Sequence, residues 1–149
     1  MDTSTKSIAL VGDALALARL RWVQETQRRL SLEGYPHYRR SDSAVLRRLL
    51  GGPSSFVDLV STLGVSRQGV RKVVSGLESR GLVEVGTDNV DARRAVISLS
   101  EEGRRYALVL QREARRMHRD IAASLSSDEM AITLRVLDVL ATRWDGDAQ

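Results

Sequence analysis

Arg67, Gln68, Arg71 and Lys72 stand together in residues 66–80, and only the acid Glu78 offsets them and Arg80. On a helix these positions share one broad face. A guanidinium can bond both major-groove acceptors of guanine, and a Gln amide can do the same for adenine. Ser66 stands just before them, where its hydroxyl suits an N-cap, and a helix start also attracts phosphate. A second basic pair, Arg93-Arg94, ends the polar stretch 86–94. Arginine on such a tip suits a minor groove, where negative potential gathers. Asp91, two residues before Arg93, suits an Asx-turn, and it can also orient that arginine. Taken alone, the first cluster reads equally well as a solvated basic face. The second tips the balance towards a nucleic-acid reader.

Such side chains need a frame, and the surrounding pattern supplies one. Phe56 to Leu63 reads as a helix, Leu63-Gly64-Val65 as a tight turn, and Ser66 to about Arg80 as a second helix that Gly81 stops. Gly64 tolerates the positive φ that a steep junction needs. Leu59, Leu63 and Val65 on one side, and Val70, Val73, Val74 and Leu77 on the other, give faces that can pack together. Ser55 with Asp58 resembles a capping box. Residues 82–99 alternate as a hairpin, with Val83 and Val85 on one strand and Ala95, Ile97 and Leu99 on the other. A short helix from about Asp42 to Leu50 precedes the module and stops at Gly51-Gly52-Pro53.

Apolar rows flank this module. From Ser7 to about Leu30, Ile8, Val11, Leu15, Ala18 and Trp22 recur at helical spacing. After Ser100, Gly103, Ala107, Leu110, Ala114, Met117 and Ile121 form a heptad-like seam. Ser126 and Glu129 then open a last helix with Met130, Leu134, Leu137, Ala141 and Trp144 on one face. The module between them is compact enough to hold its own core, so the flanking rows need partners. A symmetric dimer satisfies them, and an appended bundle within one chain is the alternative. The organisation expected is a dimerisation helix and loop over 1–41, a winged helix-turn-helix over 42–100 and dimerisation helices over 101–149. The fold class is mainly α with a small β-hairpin wing (α+β). Tyr35, His37 and Tyr38 sit in the breaking loop 31–41, where they either pack the loop on the core or, with Trp22, line a ligand pocket.

Composition narrows the functions. In 149 residues there is no cysteine, which removes disulfides, thiolate metal sites and thiol redox switches. Aromatic content is 4%, too low for base stacking on exposed rings. No apolar run reaches membrane-spanning length and the N-terminus lacks the pattern of a signal peptide, so a cytoplasmic protein without a membrane partner is expected. The net charge is +4, and only Lys6 and Lys72 among the cations are not arginine, which favours bidentate contacts. Residues 126–149 are acidic instead, with Arg135 and Arg143 against Asp128, Glu129, Asp138, Asp145 and Asp147. Nothing nominates a nucleophile, a general base, a phosphate loop or a cofactor site, so no enzyme is expected. His37 and His118 alone make a poor metal site.

The chain resembles the multiple-antibiotic-resistance regulator (MarR) family of winged helix-turn-helix transcription factors. The resemblance rests on Val65-Ser66-Arg67-Gln68-Gly69-Val70-Arg71-Lys72-Val73-Val74, Leu77-Glu78-Ser79-Arg80-Gly81-Leu82-Val83, Asp91-Ala92-Arg93 and Ile97-Ser98-Leu99-Ser100-Glu101-Glu102-Gly103, with the order of elements over about 7–145. It implies a homodimer built on the terminal helices, with the 66–80 helix of each copy in the major groove of double-stranded DNA and Arg93 in the minor groove. It also implies control by a small, often aromatic or anionic, effector. Arg71 stands where the family often has Thr or Ser, which puts the base preference in doubt. Gly69 and Gly76 weaken the reading helix. The family's peroxide-sensing branch needs cysteine and is excluded. The alternative reading is an interaction protein that keeps the fold and the dimer without binding DNA.

Overall fold

The computed structural model describes residues 10–91 and 93–143. In chain order it has α1 (Val11–Leu32), α2 (Asp42–Leu50), β1 (Ser54–Ser55), α3 (Phe56–Leu63), α4 (Arg67–Glu78), β2 (Val83–Thr87), β3 (Ala95–Leu99), α5 (Glu101–Ala122) and α6 (Ser127–Thr142). The expected helices and both hairpin strands are present. Ile8 and Trp144, expected at the dimer seams, lie outside the described residues.

The sheet has one strand more than the hairpin. β1 pairs with β3, so the order is β1-β3-β2, antiparallel throughout. Ile97 sits opposite Ser54 on one side and Val85 on the other, and it is fully buried. Two serines carry no strand pattern of their own, which is why β1 escapes a reading by alternation.

Local chemistry sets the helix ends. Ser55 Oγ accepts from the Asp58 amide at 3.1 Å, and the Asp58 carboxylate reaches back to the Ser55 amide and hydroxyl. Ser126 and Glu129 build the same reciprocal cap on α6. Gly64 closes α3 at φ +60, the left-handed region that favours glycine. Ser100 serves two elements at once: its hydroxyl donates to the Gly81 carbonyl at 2.6 Å and accepts from the Gly103 amide at 2.9 Å. Gly103 is also required by space, because a Cβ there would overlap the Leu82 carbonyl oxygen. Its small size therefore serves a close approach inside one chain, where the sequence pattern suggested a helix seam.

The core joins parts that the sequence separated. Val45, Leu46 and Leu49 of α2, Leu59 of α3, and Val70, Val74 and Leu77 of α4 pack with Val83 and Ile97 of the sheet. Leu30 of α1 and Tyr106, Ala107 and Leu110 of α5 belong to the same cluster. The winged module thus does not hold a core of its own. Truncating a residue as buried as Leu77 costs about 2–5 kcal/mol. Val65, expected to pack at the turn, is 48% exposed.

The described residues form two compact units that divide between Glu113 and Ala114, within α5. In the first unit Arg112 pairs with Glu33 at 2.7 Å, which ties the loop after α1 to α5. Leu10, Val11, Leu15, Leu17, Leu20 and Trp22 are all exposed on or beside α1. In the second unit Ile121, Ile132, Leu134, Val136, Leu137 and Val139 are exposed as well. Two expected dimer residues do not belong with them. Leu110 is committed to the core cluster and Met117 is buried within the single chain, so neither offers a free surface. No described helix is long and apolar enough to cross a membrane.

Candidate nucleic-acid interface

The first turns of α4 form the centre of the site. Ser66 has the extended backbone of an N-cap, and its hydroxyl accepts from the Gly69 amide at 3.1 Å. Val70, Val74 and Leu77 bury the opposite face, so packing decides which side chains point out. Arg67, Gln68, Arg71 and Lys72 are all exposed. Arg71 is not loose, because its guanidinium lies over the Phe56 ring, 5.1 Å from the centroid.

Arg80 does not join this face. It donates from Nη2 to Asp42 at 2.7 Å, from Nε to the Gly76 carbonyl at 2.8 Å and from Nη1 to the His37 carbonyl at 3.3 Å. Counted with the basic residues of the reading helix in the sequence, it is instead a tie between α4, α2 and the preceding loop. A Cβ at Gly76 would come within 3.3 Å of Arg39 Nη1, the end of a flexible side chain that can give way.

The loop between β2 and β3 is built by its aspartates. Asp91 Oδ1 accepts from the Arg93 amide at 3.0 Å, and Asp88 Oδ1 accepts from the Val90 amide at 2.8 Å. Backbone bonds from the Arg94 amide to the Asp91 carbonyl and from the Asp88 amide to the Arg94 carbonyl close the loop, both at 2.9 Å. The Asx-turn expected for Asp91 is therefore present, and Arg93 is exposed next to it. Arg94 lines a groove with Ser54, Asp58 and Asp88. The Asp58 carboxyl is held below the usual carboxylate range by its bonds from Ser55, with a smaller contribution from the Arg94 charge.

A separate cavity of about 280 Å³ lies among Gly34, Tyr35, Pro36, His37, Arg80, Leu82, Glu102 and Tyr106. It contains two of the four aromatic or histidine residues nominated for a pocket. Trp22 is not in its lining, and Tyr38 bonds Ser43 at 3.1 Å and packs on the core instead. The Tyr35 and Tyr106 rings meet with centroids 4.7 Å apart. The Tyr106 hydroxyl is buried and has no hydrogen-bond partner among the described residues. Burial, then the nearby Asp42 charge, pushes its pKa up to about 12, so it stays protonated and able to donate. Tyr106, Leu82, Glu102 and Arg80 escape a reading by sequence, because they reach the loop from elements far along the chain.

Known proteins resemble the chain in sequence and fold. Residues 39–94 match the model of the MarR family. Over 86 residues, 58% of this chain, the sequence is 29% identical to the HTH-type transcriptional repressor NicR of Pseudomonas putida. That match spans 54% of the repressor's own length. The fold is also that of BpsR from Bordetella bronchiseptica, whose DNA binding is regulated by 6-hydroxynicotinic acid. The TM-score is 0.70 at 23% identity, covering 89% of this chain and 93% of that one. The transcriptional regulator BldR from Sulfolobus solfataricus gives a TM-score of 0.67 at 20% identity, with coverage of 89% and 93%. Through residues 39–94, which run from the loop before α2 past the exposed basic helix to the end of the β2–β3 loop, the chain is similar to the MarR family.

Proposed function

We propose that this chain is a transcriptional regulator, a repressor in its simplest form, that binds a near-palindromic operator in double-stranded DNA as a homodimer. The observation that carries the reading is the exposed set Arg67, Gln68, Arg71 and Lys72 on a Ser66-capped helix whose other face is fixed in the core. Arg67, Gln68 and Arg71 read bases, while Lys72 and the Ser66 end of α4 bind phosphate. Arg93 enters the minor groove from a loop that Asp91 shapes, and Arg94 adds positive charge beside it. The apolar rows on α1 and α6 and the end of α5 supply the surface through which two copies join, with Val11, Leu15, Ile121, Leu134 and Leu137 among the contacts. Half-sites then lie about one helical turn (~34 Å) apart. The protein works in the cytoplasm, where its DNA is.

The cavity beside Tyr35 and Tyr106 is the place for an effector. Its Tyr35 and Tyr106 rings suit a small aromatic molecule, with His37 and Glu102 in the lining as polar groups beside them. An effector changes DNA affinity only if it binds one arrangement of the reading helices better than another.

The test is to select bound fragments from genomic DNA with purified protein, then measure mobility shifts on the recovered sequence and on random duplex. A recovered near-palindrome held more tightly than random duplex supports the reading. A protein that retains no duplex in dilute buffer is instead a fold-bearing interaction protein.

A further inference from the structure

Phe56 and Arg71 belong to different helices of the helix-turn-helix, and their contact fixes an arginine at the reading surface. The Arg71 guanidinium stands 5.1 Å above the Phe56 ring centroid. The ring itself is well held. Phe56 is the first residue of α3, is half-buried and packs on the core cluster. Its neighbour Ser55 pairs with Val96 in the sheet and forms the reciprocal cap with Asp58. Val57, Val60 and Arg67 complete a small recess around this pair.

A cation–π contact occupies at most one side of the guanidinium. The planar fork carries five N–H donors, so an edge that would meet two acceptors of a guanine stays available. A free arginine on a helix surface must give up many rotamers to make such a contact. One already seated on a ring gives up fewer.

We propose that Phe56 is a positioning residue for base readout: its ring seats Arg71 so that the paired N–H edge is presented to guanine. Sequence preference at one base pair then depends on a side chain of α3 that need not touch that base. The inference rests on the DNA-reading assignment of α4.

The test uses the full chain and the operator recovered by selection. Arg71→Ala first maps the base pair whose identity Arg71 reads. Phe56→Leu keeps apolar bulk and removes the π face, and Phe56→Tyr restores it. For each variant, binding is measured on the operator and on the duplex changed at that pair, alongside thermal melting and the Nε–Hε NMR signal of Arg71. Phe56→Leu should lose roughly two- to fivefold of the preference at that pair, the scale of an exposed cation–π contact. Its binding to random duplex and its melting should stay near wild type, while the ring-current shift of the Arg71 signal disappears. Phe56→Tyr should keep both the preference and the shift, and Phe56→Leu/Arg71→Ala should be no worse than Arg71→Ala alone. The proposal is overturned if Phe56→Leu keeps full preference, or weakens all duplexes equally, or adds its effect to that of Arg71→Ala. It is also overturned if Arg71→Ala alters no base preference in a protein that binds DNA, and there the regulator assignment survives. A wild-type protein that binds no duplex overturns both.

Discussion

Arg80 and Asp42 form an ion pair at 2.7 Å that joins the end of α4 to the first residue of α2. Asp42 is 1% exposed, while Arg80 keeps some contact with solvent. Removing one partner of such a pair leaves a charge without compensation. Arg80→Met should therefore cost about 3 kcal/mol, the lower end for a buried pair because of that residual exposure. Urea denaturation at fixed protein concentration checks it. A loss below about 1 kcal/mol, the scale of a surface pair, would show that the contact holds nothing together.

Gly103 shows a second dependence between distant segments. Its Cα faces the Leu82 carbonyl so closely that a methyl group has no room, and the obstacle is backbone. Gly103→Ala should destabilise by about 3 kcal/mol or more, despite the better helix propensity of alanine. Thermal melting of the variant reads this directly, and a stabilised Gly103→Ala would contradict the packing.

These two sites show where the sequence is legible and where it is not. Periodicity and end signals locate the helices, because Ser55, Gly64, Ser66, Gly81 and Ser126 act on neighbours a few residues away. The exposed basic face of α4 follows from the same logic, since burying Val70, Val74 and Leu77 forces Arg67, Gln68, Arg71 and Lys72 outward. Contacts between distant residues leave no such mark. Arg80 looks like another reading-helix cation until Asp42, 38 residues earlier, is seen to hold it. Leu110 looks like a dimer contact until Leu30 and Tyr106 are found in the same cluster. Phe56 marks only a helix start in the sequence, and its place under Arg71 shows only in the fold.

Three carboxylates tie helix stability to pH. Arg28 and Arg29 bond Glu25 and hold its pKa at about 2, and bonds from Ser126 and Ser55 lower those of Glu129 and Asp58. Because the folded-state values lie below the unfolded ones, this stability is complete above the ordinary carboxylate range. It is lost as pH falls through the folded values. Helicity should hold at neutral pH and decline from about pH 4 downward. Glu129→Gln should flatten part of that decline while lowering stability at pH 7, as circular dichroism titration would show. An acid limb identical to wild type would remove Glu129 from the account.

The exposed rows on α1 and α6 predict how assembly feeds binding. Leu134 and Leu137 are 54% and 42% exposed in the single chain. Leu134→Asp should shift the protein to monomer in sedimentation. Loss of the second half-site should then weaken operator binding by about a hundredfold or more, a hundredfold being the lower end for a lost bivalent contact. A monomer that still binds the operator at full strength would separate dimerisation from recognition.

The most direct test is the salt dependence of operator affinity for wild type and Arg93→Ala. Each phosphate neutralised contributes about −0.9 to the slope of log affinity against log salt. Wild type should weaken steeply with salt. Arg93→Ala should bind less tightly on every duplex with a slope shallower by about two, one for each wing of a dimer. A wild-type affinity indifferent to salt, or an Arg93→Ala protein with unchanged affinity and slope, would contradict it.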